Sequence, residues 1–174
     1  MTSPISKSVT QGNFYVSSEC DHVLNCVLGS CIAACLYDET QTIGGMAHFL
    51  LPCSNDRDGK ESTKYGAYSM ELLINEIMQR GGDKSRLKAK IFGGSQVTKG
   101  FSTVGEQNID FIRAFLLHEG IQIVSENLGG KRARQVRFWP TTGRAQMMLL
   151  PNAIFDQPSK TKLMSTGRNE ITLF

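Results

Sequence analysis

Apolar residues recur at helical spacing between residues 65 and 80, where Met70, Leu73, Ile74, Ile77 and Met78 share a side and Gly81-Gly82 supplies the stop. A second helix is predicted over residues 106–119, with Ile109, Ile112, Phe115 and Leu116 as its apolar set and Gly120 after it. Elsewhere the period falls to two. Leu87, Ala89 and Ile91 alternate with Lys88 and Lys90, Ile121 and Ile123 flank Gln122, and Val136 and Phe138 flank Arg137. Each reads as a strand. Residues 140–143 make a turn into a further strand at residues 146–150. Upstream, the apolar runs 27–36 and 43–51 flank a polar stretch, Asp38-Glu39-Thr40-Gln41. That is the pattern of a buried antiparallel hairpin. If the loop holds those four residues, Tyr37 faces Thr42, Ala34 faces Gly45, and Cys31 faces His48.

The periodicities add up to an α+β protein of two main helices and eight to ten strands, mostly in hairpins. Residues 1–12 are polar and read as a loose start, residues 53–64 as a charged loop, and residues 151–174 as a C-terminal extension with no assigned element. A single domain over residues 1–174, with its core at about 13–150, is the expectation.

Size and composition narrow the classes. A chain of 174 residues buries roughly 70 % of its unfolded surface, so it needs no disulfide or metal to hold a core. Its five cysteines are an odd number, and the N-terminus has no apolar signal region, which together point to a reducing cytoplasm. The apolar runs are far shorter than the ~20 residues of a membrane span, so membrane insertion is not expected. A net charge of +3 is too small to argue for nucleic acid.

The facing of Cys31 and His48 is where chemistry enters. Opposed side chains on one sheet face have Cβ atoms about 4.5–5.5 Å apart, within reach of a thiol and an imidazole. A thiol is a weak nucleophile until deprotonated, and an imidazole can take its proton and later return it to a departing amine. Before the thiol stand Gly29 and Ser30, small residues that let backbone N–H groups face a developing oxyanion. A cysteine in an apolar strand is equally a small core residue, and the spacing alone does not choose between the two.

Other constellations have plainer readings. Cys26, Cys31, Cys35 and His48 lack zinc-knuckle spacing, and Cys26 and Cys31 would point to opposite faces of a continuous strand, so no metal site is expected. Cys35 reads as a packed thiol; Cys20 and Cys53 read as incidental. Lys131, Arg132, Arg134 and Arg137 cluster near Trp139, a basic surface suited to an acidic protein helix rather than to nucleic acid. His22 and His118 read as surface residues, and Gly93-Gly94 as a tight turn near the site.

A succession of motifs then carries a family likeness. It runs from Val27-Leu28-Gly29-Ser30-Cys31 and Gly44-Gly45-Met46-Ala47-His48-Phe49-Leu50-Leu51-Pro52 through Tyr65-Gly66 and Met70-Glu71-Leu72-Leu73-Ile74-Asn75. Ala89-Lys90-Ile91-Phe92-Gly93-Gly94, Gly105-Glu106-Gln107-Asn108 and Leu128-Gly129-Gly130 with Arg134 follow in order. Over residues 13–150 the chain resembles the chemoreceptor glutamine deamidase family, CheD.

The resemblance implies a layered α/β sandwich like that of Cys/His deamidating toxins. It implies an enzyme that hydrolyses glutamine side chains of methyl-accepting chemotaxis receptors to glutamate, releasing ammonia through a thioester on Cys31, with His48 as base and then acid. No cofactor or metal is implied. Some members are credited with receptor methylesterase activity, and in some bacteria a CheC-type phosphatase binds them, which makes such a phosphatase a candidate partner. The family places a Thr six residues before the nucleophile to orient the histidine; here that position is Asn25, whose carboxamide oxygen can accept from an imidazole N–H. Were that role lost, the chain would be a receptor-binding adaptor with little catalysis. A substrate glutamine on a long helix calls for a shallow groove rather than a deep pocket.

Overall fold

The computed structural model describes residues 3–52, 60–96, 102–151 and 171–174. Their ten strands form two five-stranded sheets. The first sheet has the order β1(Ile5–Ser8), β3(His22–Leu28), β8(Arg134–Phe138), β9(Ala145–Leu149), β10(Ile171–Leu173). The second has β2(Asn13–Ser17), β5(Ile43–Phe49), β4(Ile32–Asp38), β6(Lys88–Gly93), β7(Gln122–Leu128). Both are mixed: β1 pairs parallel with β3, β6 parallel with β7, and the remaining pairs are antiparallel.

Helices α1(Lys60–Gln79) and α2(Ser102–His118) cover the outer face of the second sheet. Met70, Leu73, Ile74 and Ile77 of α1 and Ile112 and Leu116 of α2 pack there on Ile32, Ala34, Leu36, Ala47, Phe49 and Ile91. The alternate residues of the same strands, Ala33, Cys35, Tyr37, Met46 and Phe92, face the other way. They meet Leu24, Cys26, Leu28, Val136, Phe138 and Met147 of the first sheet in a second core. The period-two alternation therefore sorts one strand's residues into two cores, and the layers run helix, sheet, sheet.

Both helices begin four or five residues ahead of the boundary their apolar stripes suggest. Residues 60–64 carry no stripe, yet Ser62 is buried with its hydroxyl donating to the Pro52 carbonyl at 2.5 Å. The rest of the expected charged loop, residues 53–59, lies outside the described residues. The ends also differ from the expectation. β1 falls within the segment read as loose, and β10 within the extension, with Phe174 packed edge-on to Phe92 at 5.5 Å between ring centroids. Both are edge strands of the first sheet, and Ile5-Ser6-Lys7-Ser8 is too polar to announce itself.

The central hairpin is correct in kind and shifted by two residues. Tyr37 faces Gly44, Ala34 faces Ala47, and His48 faces Ala33 rather than Cys31. The reason is Asp38, which is the last residue of β4 and wholly buried, not part of the loop. Its carboxylate accepts from the backbone N–H groups of Thr40, Gln41 and Asp83 and from the Arg86 guanidinium. Burial alone would raise the Asp38 pKa, but the Arg86 and backbone hydrogen bonds outweigh it and hold the carboxyl below its ordinary range. A two-residue shift keeps every side chain on its face. Cys31, just ahead of β4, and His48 of β5 thus still share the face that looks between the sheets.

Candidate active site

His48 is held from both sides by the connection between β1 and β2. Its backbone carbonyl accepts from the Gly12 N–H at 2.7 Å, and its ring Nδ1 lies 2.9 Å from the carbonyl oxygen of Val9. A carbonyl can only accept, so Nδ1 carries the proton and Nε2 presents its lone pair. Nε2 is buried and has no hydrogen-bond partner among the described residues. Burial holds the imidazole pKa below its ordinary value, against a smaller upward pull from the Val9 bond. At neutral pH the ring is a neutral base with an unsatisfied acceptor.

Cys31 sits where the chain crosses from the first sheet to the second, after β3 and before β4, half-exposed at the edge of the inter-sheet core. Its thiol donates to the side-chain oxygen of Gln11 at 3.3 Å. Burial raises the thiol pKa above its ordinary value, more than the Cys31 backbone N–H lowers it. The resting pair is therefore a thiol and a neutral imidazole rather than an ion pair, and no direct hydrogen bond joins them.

The loop that carries Cys31 is fixed through its carbonyls. The Gly29 carbonyl accepts from Ser95 N–H at 2.8 Å, the Cys31 carbonyl from Gly94 N–H at 2.9 Å, and the Ser30 carbonyl from the Asn108 carboxamide at 3.0 Å. Asn108 is fully buried in α2; it also donates to Val104 and accepts from the Leu51 N–H at 2.8 Å. One side chain thereby joins the Cys31 loop, the exit of β5 and the second helix. Gly29 is not in a left-handed conformation. The unusual backbone lies opposite, at Gly93 (φ 120°), where a Cβ would collide with the Cys31 carbonyl. Gly93-Gly94 is thus not a tight turn but the exit of β6, with both residues at positive φ beside the Cys31 carbonyl.

Asn25 is elsewhere. Its carboxamide donates to Ser6 Oγ at 2.7 Å, across the β1–β3 pair of the first sheet. It faces a cavity of about 370 Å³ shared with Gln135, Arg137 and Gln146. The hydrogen bond to the His48 ring that the sequence suggests for Asn25 is made by the Val9 carbonyl. Cys26 also departs from expectation. Because the chain changes sheets between residues 28 and 32, Cys26 and Cys31 meet the same core, where burial drives the Cys26 thiol up to about 12. Cys35 is packed in that core, Cys20 is exposed, and Cys53 is outside the described residues.

The basic cluster near Trp139 divides. Arg137 and Arg144 flank the Trp139 ring, with guanidinium carbons 5.4 Å and 4.6 Å from its centroid. Arg134 instead turns inward and is only 2 % exposed. Its guanidinium reaches Ser95 Oγ at 2.7 Å, the Gly129 carbonyl and both oxygens of Asn127. Burial lowers its pKa to about 10, which leaves it charged at neutral pH. It therefore braces the residue that holds Gly29 instead of serving an outer surface. Neither Val9 nor Asn108 is reachable from spacing arguments, the first because it acts through its backbone, the second because a buried Asn and an exposed one look alike in sequence.

Residues 50–148 match the family model described as CheD chemotactic sensory transduction. Among curated proteins, the "Probable chemoreceptor glutamine deamidase CheD" of Caulobacter sp. (strain K31) is 50 % identical over 91 % of this chain and 84 % of its own length. The chain belongs to the CheD family. The protein of the same name from Caulobacter vibrioides (strain NA1000 / CB15N) is 46 % identical over 95 % of this chain and 91 % of its own. A third, from Rhizobium meliloti (strain 1021), is 49 % identical over 82 % and 79 %. This CheD-family chain has no helix, among the described residues, long and apolar enough to cross a membrane.

Proposed function

We propose that this chain is a chemoreceptor glutamine deamidase, a hydrolase that converts glutamine side chains of methyl-accepting chemotaxis receptors to glutamate. Cys31 is the nucleophile and His48 the base. The observation that carries the assignment is the buried, unpartnered Nε2 of His48, on the same inter-sheet face as the Cys31 thiol. A neutral imidazole with Nδ1 tied to Val9 has one function left to its other nitrogen, which is to accept a proton.

In this reading the substrate carboxamide displaces Gln11 from the thiol, and the thiol proton passes to Nε2 as sulfur attacks the amide carbon. The oxyanion forms against the backbone N–H groups of the Gly29-Ser30-Cys31 loop, whose carbonyls are engaged on the opposite side by Ser95, Asn108 and Gly94. Nε2–H then protonates the leaving nitrogen, ammonia departs, and a thioester remains. Water, giving its proton to Nε2, attacks the thioester; glutamate leaves and the thiol is restored. Val9, not Asn25, is the orienting third member, so the ground for an inactive adaptor falls away. A CheC-type phosphatase remains a candidate partner, to be sought by co-purification.

The test is mass spectrometry of a chemoreceptor cytoplasmic domain incubated with the protein. Conversion of specific glutamines to glutamate is expected, and its loss in Cys31→Ala. Conversion that persists in that variant would overturn the nucleophile assignment, and binding without conversion would favour the adaptor.

A further inference from the structure

The residue that occupies the Cys31 thiol is itself a glutamine. Gln11 sits in a tight turn closed by Asn13 N–H to the Thr10 carbonyl at 3.1 Å and by the Asn13 carboxamide to Thr10 Oγ1 at 2.8 Å. Gly12 takes φ 84°, the left-handed conformation that a type II turn requires at its third residue. Two residues that bracket Gln11 are bonded to His48: Val9 through the ring, Gly12 through the main chain. The turn is thus registered against the base, and its side chain against the nucleophile.

With the Gln11 side-chain oxygen 3.3 Å from Sγ, its amide carbon lies at most one carbon–oxygen bond farther away. That places the carbon about 3.5–4.5 Å from sulfur, outside the about 3–3.5 Å of an attacking pair, so the carboxamide must first turn to bring its carbon onto Sγ. Held within the same molecule, it makes that approach without the entropic cost of capturing a dissolved substrate. Gln11 also supplies the functional group that the proposed reaction consumes.

We infer that Gln11 is a substrate of Cys31 within the same molecule, and that the chain deamidates itself there to glutamate. The inference rests on the deamidase reading above. In the step, an S–C bond forms to the Gln11 amide carbon while the thiol proton moves to His48 Nε2. The C–N bond breaks as that proton passes to nitrogen, releasing ammonia. Water then cleaves the resulting internal thioester, restoring the thiol and leaving a carboxylate at residue 11. The sum is one carboxamide plus one water giving one carboxylate and one ammonium. Conversion replaces a neutral acceptor beside the thiol by an anion, which disfavours the thiolate.

Peptide mapping of the full chain, incubated in heavy-oxygen water alongside a chemoreceptor cytoplasmic domain, tests this. The peptide spanning Gln11 is expected to carry glutamate in the unsubstituted protein and glutamine in both Cys31→Ala and Cys31→Ser, the two variants being checked for native circular dichroism. The rate should not change with protein concentration. If receptor glutamines are converted and Gln11 is not, the self-modification is overturned and the deamidase reading stands. If neither is converted, both fall. Conversion of Gln11 that persists in Cys31→Ala, or that scales with protein concentration, also overturns reaction within one molecule at Cys31.

Discussion

The Val9 carbonyl oxygen and the His48 ring Nδ1 are 2.9 Å apart, so a main-chain atom assigns the tautomer of the proposed base. No substitution at residue 9 other than one that moves the backbone can remove this acceptor. The device is resistant to side-chain change in a way that an Asp or Asn orienting group is not.

Because burial lowers the His48 pKa, the ring stays neutral, and able to accept a proton, to lower pH than a free imidazole. The acid limb of kcat/KM for receptor deamidation should therefore have its midpoint below the ordinary imidazole value of about 6.5, rate rising with pH through it. His48→Gln should lower kcat by about 10²–10⁴-fold and abolish that limb. A midpoint above the free value would mean that the base is stabilised in its charged form, contrary to the geometry.

The raised thiol pKa of Cys31 makes a separate claim about the resting state. Its reaction with iodoacetamide, which requires thiolate, should be slow at neutral pH and keep rising past the ordinary thiol range of about 8–9. A rate that levels off near neutrality would reveal a thiolate–imidazolium pair instead. Site-resolved alkylation followed by mass spectrometry distinguishes Cys31 from the other thiols.

Asn25→Ala removes a hydrogen bond to Ser6 on an exposed sheet face, not an interaction with His48. Receptor deamidation should remain within about twofold of the parent, with an unshifted acid limb. Stability should fall by about 0.5–1.5 kcal/mol in urea titration, the worth of one such bond. A large loss of kcat with normal stability would return Asn25 to the catalytic set.

Asn108→Leu leaves the Leu51 N–H and the Ser30 carbonyl without their shared partner in the interior. A cost of about 2–4 kcal/mol is expected by urea titration, together with a fall in kcat as the loop of the proposed nucleophile loses its brace. Asn108→Asp should be worse at neutral pH than at pH 5, since the ionised oxygen faces the Ser30 and Val104 carbonyls that now receive its N–H groups. Better performance of Asp at neutral pH would refute the assigned orientation of the amide.

Most of the scaffold was legible from periodicity, because residues such as Ala33 and Cys35 against Ala34 and Leu36 divide between two cores by the period of a strand. Cys31 and His48 are not opposed as the four-residue loop predicts, but both still look between the sheets, because a shift of two keeps parity. What misled the register was Asp38, which reads as a loop residue unless one knows that Arg86 and backbone donors from elsewhere satisfy it. The likeness to the family supplied the reaction, but it pointed to Asn25 for a bond that a carbonyl makes. Gln11 was hidden by composition, since a polar segment with one short edge strand leaves no periodic trace.

The order in which these parts occur along the chain has a consequence for biosynthesis. Val9, Gln11, Cys31 and His48 all belong to the first third of the polypeptide, whereas the groups that fix the Cys31 loop, Gly94, Ser95, Asn108 and Arg134, belong to the rest. As the chain leaves the ribosome, the proposed reacting groups emerge before the braces of the Cys31 loop. On the proposed mechanism the Cys31 loop is set only once the later strands and the second helix have docked, so a prematurely terminated product carries the thiol and the imidazole without the braces of that loop.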